Sequence, residues 1–316
     1  MKVTLVGMGL GAHDTLTLQA LHLLQEADFI VGAKRLLETL PDGCTQHRFA
    51  ATKPEAILQS LLQSAAQHPC VAYSGDTGFY SGTRSLLPLL KARGITAEVF
   101  SGISSVQYFA ARLARSWQDW SLVSAHGTAC DAPAALRCQK PVFFLTGGVL
   151  TPATLCEQLV QTGLGALRVT VGEQLSYDTE CIREGTAAEF AQQTFAPLSV
   201  LLAEAAPPFA RRTPGISDAL FVRGDVPMTK QEVRAVALAK LQVTPEDICW
   251  DIGAGTGSVS VELALQANAV YAVERSAKAY HLAEQNKAKF GVWNLHLKRA
   301  QPRRRWRSCP RRMPCL

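Results

Sequence analysis

Four glycine-rich segments hold the residues whose types and spacing suit ligand chemistry. In "VTLVGMGLGAHDTLT", Gly7, Gly9 and Gly11 directly follow a hydrophobic run; a strand ending in such a turn brings backbone amides close to a ligand, because no Cβ intervenes. "YSGDTGFYSGTRSLL" carries Gly75, Asp76, Gly78 and Tyr80, and "SGISSVQYFAARL" places Ser104 and Ser105 at a helix start. "CWDIGAGTGSVSVELAL" sets Asp251 two residues before the first of Gly253, Gly255 and Gly257. The next hydrophobic run, "AVYAVE", ends at Glu274, where an acid can receive both hydroxyls of a ribose. Alone, a GxG fits a tight strand-to-helix turn as well as a ligand cradle. Three such loops within residues 1–117 shift that balance, because the carboxyl ends of parallel strands share one edge of a sheet, where ligands bind.

The runs between these loops must position them. Up to about residue 117, "KVTLVGMG", "DFIVGA", "CVAYSGD" and "TAEVF" read as strands. Between them lie helical patterns through Leu18, Leu21 and Leu24, from Pro54 with Leu58 and Leu61 or Leu62 inward, and around "SLLPLLKARG". That rhythm predicts a mostly parallel sheet covered by helices. From 118 to about 205 the strand-like runs "DWSLVSA", "PVFFLTGG", "LRVTVGEQ" and "LSVLLAEA" continue with fewer helices, which predicts a second, more mixed α/β layer. "APPFARRTPGISDALFVRGDVP", residues 206–227, has four prolines and few periodic apolar residues and reads as a linker. A third unit, 228–301, starts with a helix whose apolar positions are Val233, Val236, Ala237 and Leu241.

Composition narrows the classes. At 47% hydrophobic residues, 316 residues can bury two or three cores. The formal charge of +6 traces to six arginines in "PRRRWRSCPRRMPCL", residues 302–316; the remaining basic residues balance the 26 acidic ones, so the body carries no electrostatic footprint for nucleic acid. Nine cysteines without a CxxC pair or zinc-type histidine spacing fit a reducing, cytoplasmic setting with no metal site. The N-terminus reads as a strand and turn rather than a signal peptide, and no apolar run approaches the roughly 20 residues of a membrane span.

The combination of "VGMGLGAHDTLT", "SGDTGFYSG" and "SGISSVQYFAARLA" resembles the tetrapyrrole methylase family, over residues 1 to about 205. The resemblance implies a two-lobed class III methyltransferase with S-adenosylmethionine in the cleft, of the type that methylates carbon 5 of a precorrin in cobalamin synthesis. It implies lobes at about 1–117 and 118–205 and a homo-oligomer. Carried over by position, the turn at Gly7, Gly9 and Gly11 faces the pocket, Gly75, Asp76, Ser104 and Ser105 contact the cofactor, and Leu145 and Thr146 of "FLTGG" neighbour its adenosine, with "VGEQL" nearby. Where the family pattern reads GDPGF this chain has Thr77, which is expected to loosen the loop. Methyl transfer from a sulfonium to carbon needs orientation rather than a catalytic triad, and no catalytic residue is assigned. Lys34, Arg35 and Arg84 suit the carboxylates of such a substrate, or else are solvated charges; His126 is either an acid–base group or an ordinary loop histidine.

The D-x-G-x-G-x-G turn at 251–257 resembles the class I S-adenosylmethionine methyltransferases, here of the type that methylates carbon 15 with decarboxylation. The matching cofactor positions are Thr229, Asp251, Gly253, Gly255, Gly257 and Glu274. The fold expected is therefore α/β, a two-lobed tetrapyrrole methylase followed by a Rossmann-like class I domain. Because "NLHLKRA" reads as only the third strand of seven, that domain is expected to be incomplete and inactive, with residues 302–316 an aberrant basic tail. Two competing readings are a nicotinamide-dependent oxidoreductase, which the absence of GxGxxG opposes, and a non-catalytic tetrapyrrole-binding protein.

Overall fold

Short hydrophobic runs become the strands of the first sheet: β1 (Lys2–Gly7), β2 (Phe29–Gly32), β3 (Arg48–Ala50), β4 (Pro69–Tyr73) and β5 (Thr96–Phe100). The computed structural model describes residues 2–207 and 214–300. These strands lie in the order β3-β2-β4-β1-β5, with every pair parallel. Successive residues of the inner strands point to opposite faces and both faces are covered, as a parallel sheet requires: Val3, Leu5, Val31 and Val71 pack on one side, Val6, Ile30, Cys70 and Ala72 on the other. The covering helices are α1 (Leu18–Glu26), α2 (Lys34–Glu38), α3 (Pro54–Gln63) and α4 (Thr83–Ala92), and α5 (Ser105–Arg112) leads out of the sheet.

One helix face differs from the sequence pattern and another resolves an alternative in it. In α1 the inward stripe runs through Ala20 and Leu24, and Leu18 is 75% exposed, because Thr17 caps the helix and leaves Leu18 at its first position. In α3 the choice falls on Leu61, which packs with Ile57 one turn away, while Leu62 turns outward.

The second sheet comprises β6 (Ser121–Ser124), β7 (Val142–Leu145), β8 (Arg168–Glu173), β9 (Cys181–Thr186) and β10 (Ser199–Ala203). Its order is β6-β7-β10-β8-β9, parallel between β6 and β7 and antiparallel elsewhere. Helices α6 (Ala132–Ala135), α7 (Pro152–Gln161) and α8 (Ala187–Phe190) belong to this layer. Strand β9, "CIREGT", carries no hydrophobic signal in the sequence because it is an edge strand with a single buried residue. It is held by pairing to β8 and by Arg183, whose Nη2 lies 2.6 Å from Glu173 Oε2. The two layers are joined by α5, whose Val106, Phe109 and Ala110 pack on Phe143, Val200 and Leu202 of the second sheet.

The third sheet, β11 (Ile248–Ile252), β12 (Ala269–Glu274) and β13 (Leu295–Arg299), is parallel in that order, with α9 (Gln231–Leu241), α10 (Ser258–Ala264) and α11 (Ala277–Phe290). Part of the segment read as a linker is packed on this unit: Ile216 and Phe221 are buried with Leu238, Val261 and Val270. Helix α9 turns Arg234 and Leu238 inward and leaves Val233 and Val236 exposed, against its apolar spacing at those two positions, while Leu241 packs on the core as that spacing suggests. Electrostatics decide that face. The fully buried Arg234 guanidinium binds Glu262 and Asp218 at 2.7 Å each, donates to the carbonyls of Thr229 and Ile216, and lies 4.8 Å from the Phe221 ring centre. On the sheet, Trp250, Tyr271 and His296 stack in register at 5.2 and 4.8 Å, and Trp293 joins the core of the second layer. Residues 302–316, read as a basic tail, lie outside the described residues. Among the described residues no helix is long and apolar enough to cross a membrane.

Replacing Arg234 by Ala strands the buried Glu262 without its cation. The expected cost is about 3–5 kcal/mol in the C-terminal unit, read as accelerated hydrogen exchange across α9 and α10, whereas Val236→Ala is expected to stay within about 0.5 kcal/mol.

Candidate active site

At the carboxyl ends of β1, β4 and β5 three backbones cross almost in contact. A methyl group on Gly102 would run into the Gly75 carbonyl oxygen and lie 2.6 Å from that of Gly7; one on Gly7 would lie 2.6 Å from Gly102 N and from Gly75 O. Gly9 and Gly75 exchange backbone hydrogen bonds of 3.2 and 2.6 Å, which ties the first glycine turn to the second loop. Asp76 links that loop internally and to the third: its Oδ1 accepts from Gly78 N at 2.7 Å and its Oδ2 from Gly102 N at 3.2 Å. Thr77, expected to loosen this loop, donates its hydroxyl to the Phe100 carbonyl at 3.2 Å, a tie that proline lacks.

Beside this crossing lies a cavity of 310 Å³ between the two layers. Of the residues singled out from the sequence, Gly75, Asp76, Ser104, Ser105, Leu145 and Thr146 line it, as do Arg35, His126 and Tyr80. Gly7, Gly9 and Gly11 do not; they shape the turn and present Leu10 to the cavity instead. Lys34 and Arg84 lie elsewhere on the exposed surface. Ser104 caps α5 through a reciprocal pair with Gln107, so two amides at the helix start are already bonded. The Thr146 hydroxyl donates to the Ser199 carbonyl at 2.6 Å, and its own carbonyl faces His126 Nδ1 at 3.3 Å. These bonds set the wall; the side chains of Asp76, Ser104 and Thr146 hold loops in place more than they reach into the space.

From "VGEQL", expected near the cofactor, Gly172 and Leu175 line the cavity, whereas sequence spacing missed Leu10, Phe79, Tyr177, Leu198 and Val200, which complete its apolar and aromatic walls. A wall residue needs no motif, so nothing local marks it. At Tyr177 the mark is visible only in the folded chain: Gln174 and Ser176 just before it take left-handed backbone conformations, φ 49° and 73°.

The second cradle lies between β11 and β12. Gly257 has φ 74°, and a methyl group there would approach Ala283 Cβ to 2.9 Å, so the turn is seated directly on α11. Glu274 accepts from Gly255 N at 2.9 Å and from Ser276 N at 2.7 Å. Each carboxylate oxygen keeps a lone pair for a further donor. Asp251 is 8% exposed and accepts from the Ser260 hydroxyl at 2.5 Å. Burial pushes its carboxyl above the ordinary range, and the Ser260 hydrogen bond only partly opposes that. Thr229 is exposed and enters the network through its carbonyl, which accepts from Arg234.

Residues 2–191 match the family model for tetrapyrrole (corrin/porphyrin) methylases. The chain belongs to this family. As a tetrapyrrole methylase it is an S-adenosylmethionine-dependent methyltransferase. Residues 219–311 match a precorrin methyltransferase domain. A precorrin-6Y C(5,15)-methyltransferase (decarboxylating) of Sinorhizobium sp is 32% identical over 305 residues, 93% of this chain and 72% of that one. A probable cobalt-precorrin-6B C(15)-methyltransferase (decarboxylating) of Pyrobaculum calidifontis is 52% identical over 84 residues, 25% of this chain; this chain spans 43% of its length. The crystal structure of uroporphyrin-III C-methyl transferase from Thermus thermophilus complexed with S-adenosyl homocysteine superposes with a TM-score of 0.54 at 20% identity, covering 65% of this chain and 92% of that one, so the fold is shared.

The methylase cleft fits a nucleoside donor. Leu10, Leu145, Leu175 and Val200 offer apolar surface for a base, and next to Gly75 a Cβ would meet only Ser104 Cα at 4.0 Å, so backbone is open to a ligand there.

Gly102→Ala is expected to cost about 3 kcal/mol through overpacking and to abolish binding of S-adenosylhomocysteine in calorimetry. Gly94→Ala, in a left-handed turn (φ 65°) with nothing within 4 Å of its Cβ, is expected to cost about 1–2 kcal/mol and to keep that binding. For Asp251, the fold favours the protonated carboxyl, so its contribution to stability is fully present below the unfolded value of about 3.9 and is lost as pH rises through the raised folded value. Asp251→Asn is therefore expected to match the wild type below about pH 4, to gain on it as pH rises from there through the raised folded value, and to keep a constant lead above it. Denaturant unfolding across that range measures this, and a gap independent of pH would contradict it.

Proposed function

We propose that residues 1–205 methylate carbon 5 of a precorrin in the synthesis of the cobalamin ring. The observation that carries this reading is the cleft in which loops from both lobes, at Gly75, Ser104, Leu145 and Thr146, meet around one apolar-walled cavity. The order of the two family matches along the chain, and a relative named for modification at carbons 5 and 15, support the choice of substrate. A dinucleotide suits the cleft less well, because the capping box at Ser104 and Gln107 already engages two of the amides on which a pyrophosphate would rest.

S-adenosylmethionine supplies a methyl group on a positively charged sulfur, which leaves as a neutral thioether. The chain's task is then to align that methyl group with an electron-rich ring carbon and to keep water out. Leu10, Phe79, Leu145, Leu175 and Val200 form the water-excluding walls. The interlocked loops at Gly7, Gly75 and Gly102 keep the geometry rigid. In this reading residues 206–227 connect the methylase to a class I-type unit at 228–301, where Asp251, Gly253, Gly255, Gly257 and Glu274 form a second cofactor cradle with Thr229 at its rim. The described residues of that unit hold three strands of sheet, and carbon-5 methylation is the activity assigned to the chain.

Calorimetry of the full chain with S-adenosylhomocysteine tests the proposal: absence of binding would sink it. Asp76→Ala is expected to weaken first-site binding about tenfold, since two charge-assisted hydrogen bonds are lost. Glu274→Ala is expected to lower the stoichiometry while carbon-5 methyl transfer continues. If Glu274→Ala abolished that transfer, the two units would have to share one site.

A further inference from the structure

Arg35, at the start of α2, lines the cleft with an uncompensated charge. Among the described residues no carboxylate lies within 4 Å of its guanidinium. Asp76, the acid that shares the cavity with it, directs both oxygens to backbone amides. The guanidinium donates instead to two neutral hydroxyls, Tyr177 Oη at 2.6 Å from Nη1 and Ser74 Oγ at 3.2 Å from Nη2. A guanidinium presents a planar fork that matches a carboxylate bidentately, and a phenol oxygen satisfies only one prong of it. Tyr177 comes from the other lobe, directly after left-handed Gln174 and Ser176, and its ring packs against Gly11, where a Cβ would collide with the phenol oxygen. The contact therefore reaches across the cleft from a backbone that is costly to hold in place.

We propose that Arg35 is the carboxylate-binding residue of this cleft and that Tyr177 is a neutral placeholder, displaced when a carboxylate arrives. The inference rests on the methyltransferase reading, which supplies two carboxylate sources: the amino-acid end of the cofactor and the acidic side chains of the macrocycle. In either case the Arg35–Tyr177 bond breaks, a bidentate Arg35–carboxylate pair forms, and one clasp between the lobes is released.

Calorimetry and fluorescence quenching on the full chain and its Arg35→Gln, Arg35→Lys and Tyr177→Phe variants test this. The probes are S-adenosylhomocysteine with 5′-methylthioadenosine, which lacks the amino-acid end, and uroporphyrin with its octamethyl ester, which lacks the charges. If the cofactor supplies the carboxylate, Arg35→Gln weakens S-adenosylhomocysteine about tenfold or more and leaves methylthioadenosine unchanged. If the macrocycle supplies it, Arg35→Gln weakens uroporphyrin by a similar factor, while neither the ester nor S-adenosylhomocysteine responds. Arg35→Lys recovers part of the loss, and Tyr177→Phe binds the same ligand as tightly as the wild type or tighter. The assignment is overturned if Arg35→Gln changes neither affinity. It is equally overturned if Tyr177→Phe weakens binding as much as Arg35→Gln does, since the contact would then be a structural clasp. A wild-type chain that binds no S-adenosylhomocysteine instead overturns the methyltransferase reading.

Discussion

The packing of Gly7, Gly75 and Gly102 against one another is the constraint from which the cleft follows. Because Gly7 and Gly102 lie closer to each other and to the Gly75 carbonyl than a Cβ on either would allow, the loops after β1, β4 and β5 behave as one rigid rim. The carboxylate of Asp76 adds polar ties between two of them. A rim of this kind exposes backbone rather than side chains, which suits recognition of a neutral nucleoside surface beside a small charged group. It also explains why the side chains of Ser104 and Thr146 are already hydrogen-bonded: their work is to hold the wall, and the ligand meets what they hold.

The second lobe completes the site through packing rather than through motifs. Helix α5 begins at the rim and buries Phe109 against Phe143 of the second sheet, so the same helix that is capped by Ser104 fixes where Leu145 and Thr146 stand. The third unit is organised by a different principle, a buried cation. Arg234 gathers Asp218, Glu262 and two backbone carbonyls, and so draws residues 214–222 onto α9 and α10. Charge and packing thus govern separate parts of one chain, and each overrides a local apolar pattern where the two conflict.

Much of the fold was legible in the sequence for physical reasons. Buried parallel strands need short, nearly continuous apolar runs, and "KVTLVGMG", "CVAYSGD" and "AVYAVE" announce themselves for that reason. Strand β9 did not, because an edge strand with alternating charges is held by pairing to β8 rather than by burial. The inward faces of α1 and α9 were misjudged at Leu18, Val233 and Val236, because a cap in one case and a buried ion network in the other set the rotation of the helix.

For the site, the sequence by itself determined which loops surround it, since glycine at a strand end has few other reasons to recur and the order of those loops matches a family of methylases. It could not determine which residues face the ligand. Leu10, Phe79 and Tyr177 come from three separated segments and meet only when α5 docks the second sheet, and Arg35 acquires its partner Tyr177 across 142 positions of chain. Contacts of that range depend on the relative placement of two sheets, a quantity that no local pattern encodes and that the packed interior alone decides.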